Sequence, residues 1–292
     1  MRILCATDLS SRSDRALRRA GVLARGANAE LILLSVVDDD QPARLVESER
    51  REVADLLDEA SRTMHELKGA RTRVRVETGD AFDAIIRVAD AEEADLVVMG
   101  EHRRSLLSDV FVGTTLERVM RLGHRPVLMV NRPAERPYSR VLAALDMSES
   151  AARALRTGHR LGFLVGANLT VFHAFEQPGR GMMMLADVPG EVIRERTDET
   201  AAARHAELIA VLKTIDPGPG SAPPRFALEE GPPAPALRRV VAREAADLVI
   251  VGTRGLGALG RLLLGSTAEE ALRTLDCDVL VVPPAPEAPQ AP

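Results

Sequence analysis

What most limits the fold of this chain is that it repeats itself. ADLVVMG at residues 94–100 and ADLVIVG at 246–252 share one frame, and Gly79, Gly100 and Gly113 return 152 residues later as Gly231, Gly252 and Gly265. Nearer the start of each copy the offset is 138. Asp8 in ILCATDLS matches Asp146 in VLAALDMS, and LILLSVV (31–37) matches LTVFHAF (169–175). The second copy therefore carries extra chain between its second and third strands. PGRGMMMLADVPG (178–190) and DPGPGSAPP (216–224) are where it is expected, as loops rich in Gly and Pro. At 292 residues, each copy is long enough to bury its own core.

Within a copy, short apolar runs alternate with longer stretches of helical period. RILCAT predicts a strand and SDRALRRAGVLARG a helix closed by Gly26. LILLSVV predicts a strand, 42–68 a long amphipathic helix, and RVRVET a strand. DAFDAIIRVADAEE, DLVVMG, TTLERVMRLG and PVLMV continue as helix, strand, helix and strand, and the second copy follows suit to DVLVV at 278–282. Such alternation requires crossovers between parallel strands, hence an α/β doubly wound sheet in each copy. Runs that are apolar on both parities, such as LVIV, suit strands covered by helices on both faces. NRPAERPYS (131–139) is a short joint between the copies, and the Pro-rich segment 284–292 is expected to be a disordered tail.

Composition narrows the function by exclusion. A net charge of −5 argues against nucleic acid as a partner, and the positive charge is nearly all Arg, with only Lys68 and Lys213 as lysines. No apolar run approaches the roughly 18 residues that span a bilayer, so no membrane partner is expected, and MRILCATDLS does not read as a signal peptide. Cys5 and Cys277 lie in or beside apolar runs and are expected as buried thiols of a cytoplasmic protein. The acidic run Asp38 to Asp40 is expected in a solvated loop, and Met182 to Met184 in loop or interface packing. No Cys/His spacing suggests a metal, and His102 has no mapped catalytic partner.

GTRGLGALGRLLLGSTAEEA (252–271) follows the strand DLVIV and holds five of the chain's 21 glycines. In doubly wound sheets ligands sit beyond the carboxyl ends of the strands, where strand order reverses. Glycines there admit left-handed backbone and close approach, successive N–H groups form anion-binding nests, and a helix N-terminus favours phosphate. The stretch thus reads as a phosphate cradle, with Gly252 and Gly255 at its start, Gly265 at its end and Ser266 or Thr267 capping the next helix. The alternative is a surface loop without ligand. It lacks the lysine of a P-loop, and its Gly255, Gly257 and Gly260 follow a fourth strand rather than the first strand of a dinucleotide fold.

Gly252-x2-Gly255-x9-Gly265-Ser266 resembles the nucleotide-binding signature of the universal stress protein family. Asp8 and Asp146 after the first strands fit the same family, and the resemblance covers residues 1–131 and 138–283, as a tandem member. It implies five-stranded parallel sheets of order 3-2-1-4-5, of the adenine nucleotide alpha hydrolase-like kind, a role in stress response, and in one branch bound ATP, with or without Mg. By that resemblance Asp146 and the backbone of Ala174 hold the base with Val251 packed nearby, while Gly252, Gly255, Gly265, Ser266 and Thr267 hold ribose and phosphates. Asp146 also has a plainer role, as a turn and cap partner of Ser148. The resemblance further implies that PVLMV and DVLVV pair the copies edge to edge, and it is compatible with a homodimer.

The first copy departs from this pattern. Asp8, Val36, Gly100, Gly113 and Thr114 are the weaker counterparts, but Arg103 stands where the second copy has Gly255. Either Arg103 and Arg104 hold an anion by charge, or the site is closed or altered; the latter is the expectation, with no cofactor in the first copy. The leading reading is a non-enzymatic ATP-binding protein. The alternatives are a slow ATPase or a phosphoryl or nucleotidyl transferase, for which Arg254, Arg261 and Glu269 offer no defensible arrangement, and a nucleotide-independent scaffold.

Overall fold

In the computed structural model, residues 1–101, 114–134, 136–177, 179–186, 188–213, 222–253 and 264–284 are described. The first half runs β1 (Arg2–Ala6), α1 (Ser11–Gly26), β2 (Glu30–Val37), α2 (Ala43–Thr63), β3 (Arg71–Thr78), α3 (Ala81–Ala91), β4 (Leu96–Gly100), α4 (Thr115–Leu122) and β5 (Val127–Val130). The second runs β6 (Arg140–Ala144), α5 (Glu149–Arg160), β7 (Asn168–Phe175), α6 (Arg180–Leu185), α7 (Gly190–Leu212), β8 (Arg225–Glu230), α8 (Pro233–Glu244), β9 (Leu248–Gly252), α9 (Ser266–Thr274) and β10 (Asp278–Val282). No helix among the described residues is long and apolar enough to cross a membrane.

The strands form one ten-stranded sheet in the order β3-β2-β1-β4-β5-β10-β9-β6-β7-β8. Each half keeps the expected 3-2-1-4-5 order with parallel neighbours, and the halves meet where β5 and β10 pair antiparallel. Leu128 lies opposite Leu280, its own repeat mate, so the two halves are related by a pseudo-twofold axis through the seam. This pairing covers what would otherwise be two exposed edges. One face of the sheet packs on α3, α4, α8 and α9, and the other on α1, α5 and Leu208 of α7. Strands such as LILLSVV are apolar on both parities because both faces are covered.

Several details differ from the sequence reading. The helix expected over 42–68 ends at Thr63, because Met64 takes an extended conformation and Leu67 turns into the core. Gly26 is the last residue of α1 rather than its closure; Asn28, at φ 48°, is the left-handed residue there. The 178–190 stretch contains the six-residue helix α6, whereas 214–221 and 285–292 fall outside the described residues. Cys5 and Cys277 are free and buried, and burial pushes both thiols up, Cys277 to about 12. Asp38, Asp39 and Asp40 are exposed, as is Met182.

The seam is not symmetric in chemistry. Asp278 is fully buried and accepts from Arg19 Nε at 3.0 Å, Tyr138 Oη at 2.6 Å, and the backbone N–H groups of Asn131 and Arg132. The Arg19 guanidinium lies 4.2 Å from the centre of the Tyr138 ring and also donates to the Arg136 carbonyl. The repeat mates of Asp278 and Arg19 are Pro126 and Thr157, so this buried network exists on one side of the axis alone.

Candidate functional site

Each half has a crevice where β1 or β6 and β4 or β9 end side by side, the point at which strand order reverses. The chain after the first strand is built alike in both. Leu9 and Met147 hold left-handed backbone, φ 57° and 64°, which is costly for non-glycine residues. This turn brings the following serine back onto the aspartate. Ser10 N–H donates to Asp8 Oδ1 at 3.0 Å, and Ser148 N–H to Asp146 Oδ1 at 3.1 Å. Ser10 and Ser148 are then the N-caps of α1 and α5. The capping role expected for Asp146 with Ser148 is therefore present.

In the first half, Asp8, Val36, Gly100 and Thr114 line one cavity of 320 Å³, together with Arg12 and Glu101. Its apolar wall is Ile85, Met99 and Leu116. Ser13 Oγ adds a bond to Asp8 Oδ1 at 2.7 Å. Burial works to raise the Asp8 carboxyl, but the bonds from Ser10 and Ser13 outweigh it and hold Asp8 below the usual carboxylate range. The expectation of a closed or altered first site turns on Arg103, and the cavity is defined by the described residues alone. Gly113, Arg103, Arg104 and His102 lie outside the described residues.

In the second half, Val251 and Gly252 end β9, Ala174 lies near the end of β7, and Ser266 and Thr267 begin α9. Gly265 N–H donates to the Thr253 carbonyl at 2.7 Å, which ties the start of α9 to the end of β9. Gly255, Arg254 and Arg261 lie outside the described residues.

One expectation about the glycines is corrected. Gly100, Gly252 and Gly265 are not left-handed; Gly265 has φ −61°. Close approach explains Gly100 and Gly252 instead. A Cβ on Gly252 would lie 2.9 Å from Ser150 Oγ, and one on Gly100 would lie 2.8 Å from the Arg12 carbonyl oxygen, because the first turn of α5 or α1 rests on the strand end. The cap of α9 is also corrected. It is Gly265, without a side-chain bond, rather than Ser266 or Thr267. In α4 the equivalent end has a side-chain cap, since Thr114 Oγ1 accepts from the Glu117 N–H at 3.1 Å.

The sequence reading passed over Arg12, Ser150 and Thr253. Ser150 Oγ and Thr253 Oγ1 are buried without a hydrogen-bond partner, and Thr253 as a whole is 5% exposed. The repeat itself held the signal, because Arg12 aligns with Ser150 and Glu101 with Thr253.

Comparisons with known proteins place this architecture. The chain is 34% identical over 145 residues to a universal stress protein of Thermus aquaticus, covering 50% of this chain and 98% of that one. Along nearly its whole length it is 24% identical to a universal stress protein of Mycolicibacterium smegmatis, covering 97% of each. The crystal structure of a universal stress protein from Archaeoglobus fulgidus superposes with a TM-score of 0.70 at 23% identity, over 97% of this chain and 98% of that one, which speaks to the fold. The family model for universal stress proteins matches twice, over residues 1–131 and 137–283. With both halves matched and their strand order the same, the chain belongs to the universal stress protein family and carries two of its domains in tandem.

Proposed function

We propose that this protein binds ATP in its second domain, 138–283, as a regulatory or stabilising ligand in a stress response, and that it is not an enzyme. The observation that carries the reading is the start of α9. Its N-cap is a glycine without a side-chain bond, so the first N–H groups of the helix are left for an external acceptor. Beside it, the buried Thr253 hydroxyl has no partner. A phosphate chain satisfies both, and the helix dipole adds to its binding. In this reading Asp146 and the Ala174 backbone hold the adenosine, Val251 packs against it, and Gly252, Gly255, Gly265, Ser266 and Thr267 surround ribose and phosphates, with or without Mg. The motif resemblance to the ATP-binding branch of the family supports the same assignment. On α9 the carboxylate–cation pair Glu270–Arg273 lies in the later turns of the helix, away from its open start, and Glu269 stands in the first turn.

The test is thermal unfolding with and without millimolar ATP. The wild type is expected to gain about 2.7 kcal/mol at a hundredfold excess over Kd. Gly255→Arg and Gly265→Trp are expected to lose that gain. A wild type that gains nothing from ATP overturns the reading. Phosphate release by the wild type above that of Gly265→Trp overturns the non-enzymatic part.

A further inference from the structure

The joint between the halves, residues 131–139, runs along α1. Arg15 donates to the Asn131 carbonyl at 2.8 Å, and Arg19, one turn on, donates to the Arg136 carbonyl at 2.8 Å. The chain therefore follows the helix toward its C-terminal end, with Ala134 buried and Tyr138 under the Arg19 guanidinium. The pseudo-twofold axis sets α5 and the chain after β10 in the same relation. Arg153, the mate of Arg15, donates at 3.1 Å to the carbonyl of Pro283, the mate of Asn131. The segment that follows keeps the frame of the joint, since Glu135 and Pro137 return 152 residues later as Glu287 and Pro289. Beside Pro284 a groove runs along α5, walled by Arg153, Arg156, Thr157 and Arg160. Its positive charge is poorly balanced. On α1, Glu101 pairs with Arg15 and Asp14 with Arg18, but the mates of these two acids are Thr253 and Ala152. Among the described residues Arg153 meets no carboxylate, Arg156 meets the exposed Glu149, and Arg160 meets Asp95 of the first half at 3.4 Å.

We propose that this groove is the docking site of the chain's own segment 285–292, which lies along α5 as the joint lies along α1, with Glu287 between Arg156 and Arg160. On composition alone the segment has nothing to pack against; the groove supplies the surface. Glu287 is its one acid, and a carboxylate shared by two arginines makes charge-assisted hydrogen bonds. The reach fits. Four residues of extended Pro-rich chain from Pro283 to Glu287 cover about 12 Å. Arg160 stands about 10 Å along the helix axis from Arg153. The prolines also lower the cost of ordering, because the undocked chain has fewer conformations to lose. Docking carries the segment to the Arg160–Asp95 pair, so chain crosses between the halves on both sides of the axis. The two crossings differ in strength. The joint is locked by buried Arg19, Tyr138 and Asp278, whereas the mates of Arg19 and Tyr138 are Thr157 and Gln290. The docked segment is thus held by surface charge and is released by salt.

The experiment places a spin label on the full chain through Ala288→Cys. Cys5 and Cys277 are buried and so protected from the reagent, and position 288 is the mate of the exposed Arg136, where a label does not displace the segment. At low salt the label is expected to show an immobilised component in its electron paramagnetic resonance spectrum. That component is expected to be lost on Arg156→Gln with Arg160→Gln, on Glu287→Arg, and in about 1 M salt, where the screening length falls to about 3 Å. Glu287 lies outside both domains, so the loss on Glu287→Arg does not come from misfolding. The proposal is overturned if the label at low salt is as mobile as on a free peptide of residues 283–292. It is overturned equally if either the arginine pair of changes or Glu287→Arg leaves the immobilised component in place. A component that fades on dilution would make a second copy of the chain the occupant, and overturns it as well.

Discussion

Leu9 and Met147 hold φ of 57° and 64°, Glu93 and Ala245 hold 50° and 48°, and Gly79 and Gly231 hold 108° and 115°. All three pairs are repeat mates, so the two halves agree down to single left-handed residues. They agree also where the chain leaves the sheet, since Glu101 N–H donates to the Val130 carbonyl and Thr253 N–H to that of Val282. The halves part at the start of the helix after the fourth strand and at the first turn of the helix after the first. Thr114 caps α4 where Gly265 leaves α9 open, and Arg12 stands where Ser150 does. Backbone geometry has been kept across the duplication while the groups facing the two crevices have changed.

The two halves differ most in energy at the seam, where Asp278 and Arg19 have no counterpart pair. Asp278→Ala leaves Arg19 buried without its partner, and the loss is expected to be about 3–5 kcal/mol in urea unfolding. At the mate position, Pro126→Ala removes no buried charge pair and is expected to stay within about 1 kcal/mol. Equal losses at both positions would mean that the Asp278 network adds nothing to joining the halves.

A smaller effect is expected at the strand ends. Gly100→Ala and Gly252→Ala force a methyl against the first turn of α1 or α5, and each is expected to cost about 1–3 kcal/mol. Because Gly100 meets backbone atoms of Arg12 and Gly252 first meets the Ser150 hydroxyl, the loss at Gly100 should be the larger. If Gly252→Ala keeps full stability yet loses the ATP-dependent gain, the glycine serves the ligand rather than the packing.

These two glycines also show how far the sequence could be read. The repeat, the alternation of elements and the 3-2-1-4-5 order follow from period and punctuation, which are local properties of the chain. The pairing of β5 with β10 came from family resemblance, because an antiparallel seam between two apolar strands leaves no periodic mark of its own. Gly100 and Gly252 were legible as special positions; of the two reasons offered for glycine there, left-handed backbone does not hold, and the close approach that does hold is by the first turn of a helix. Close helix approach is a tertiary fact that a single sequence does not display. The same holds for Gly265 as cap, since Gly, Ser and Thr all begin helices and only the backbone angles choose among them. Arg12 belongs to no motif, and only the 138-residue offset sets it beside Ser150.

The cap difference can be exchanged between the halves. Thr114→Ala removes the bond to Glu117 N–H and is expected to cost about 1 kcal/mol, without changing ATP stabilisation. Gly265→Ser gives α9 a hydroxyl that can close its own end, raising the stability of the empty protein by a few tenths of a kcal/mol. It is expected to lower the ATP-dependent gain, because the serine then competes with phosphate for the same N–H groups. A Gly265→Ser protein with an undiminished ATP response would separate the open cap from nucleotide binding.

The smallest expected effect sharpens the role of Asp8. Its carboxyl is held below the usual range in the folded protein by Ser10 and Ser13, while in the unfolded chain it titrates near the ordinary value of about 3.9. A depressed folded pKa contributes stability that is present above the unfolded value and is lost as pH falls through the folded one. Asp8→Asn removes this contribution, so the difference in stability between wild type and variant is expected to be greatest at neutral pH and to shrink below pH 4. The side chain is exposed, so solvent screening keeps the difference small. Paired urea unfolding curves at pH 7 and at about pH 3 measure it. A gap that widens on acidification would mean that the serine bonds do not favour the ionised carboxylate, and that Asp8 does not face a ligand as a fixed negative charge.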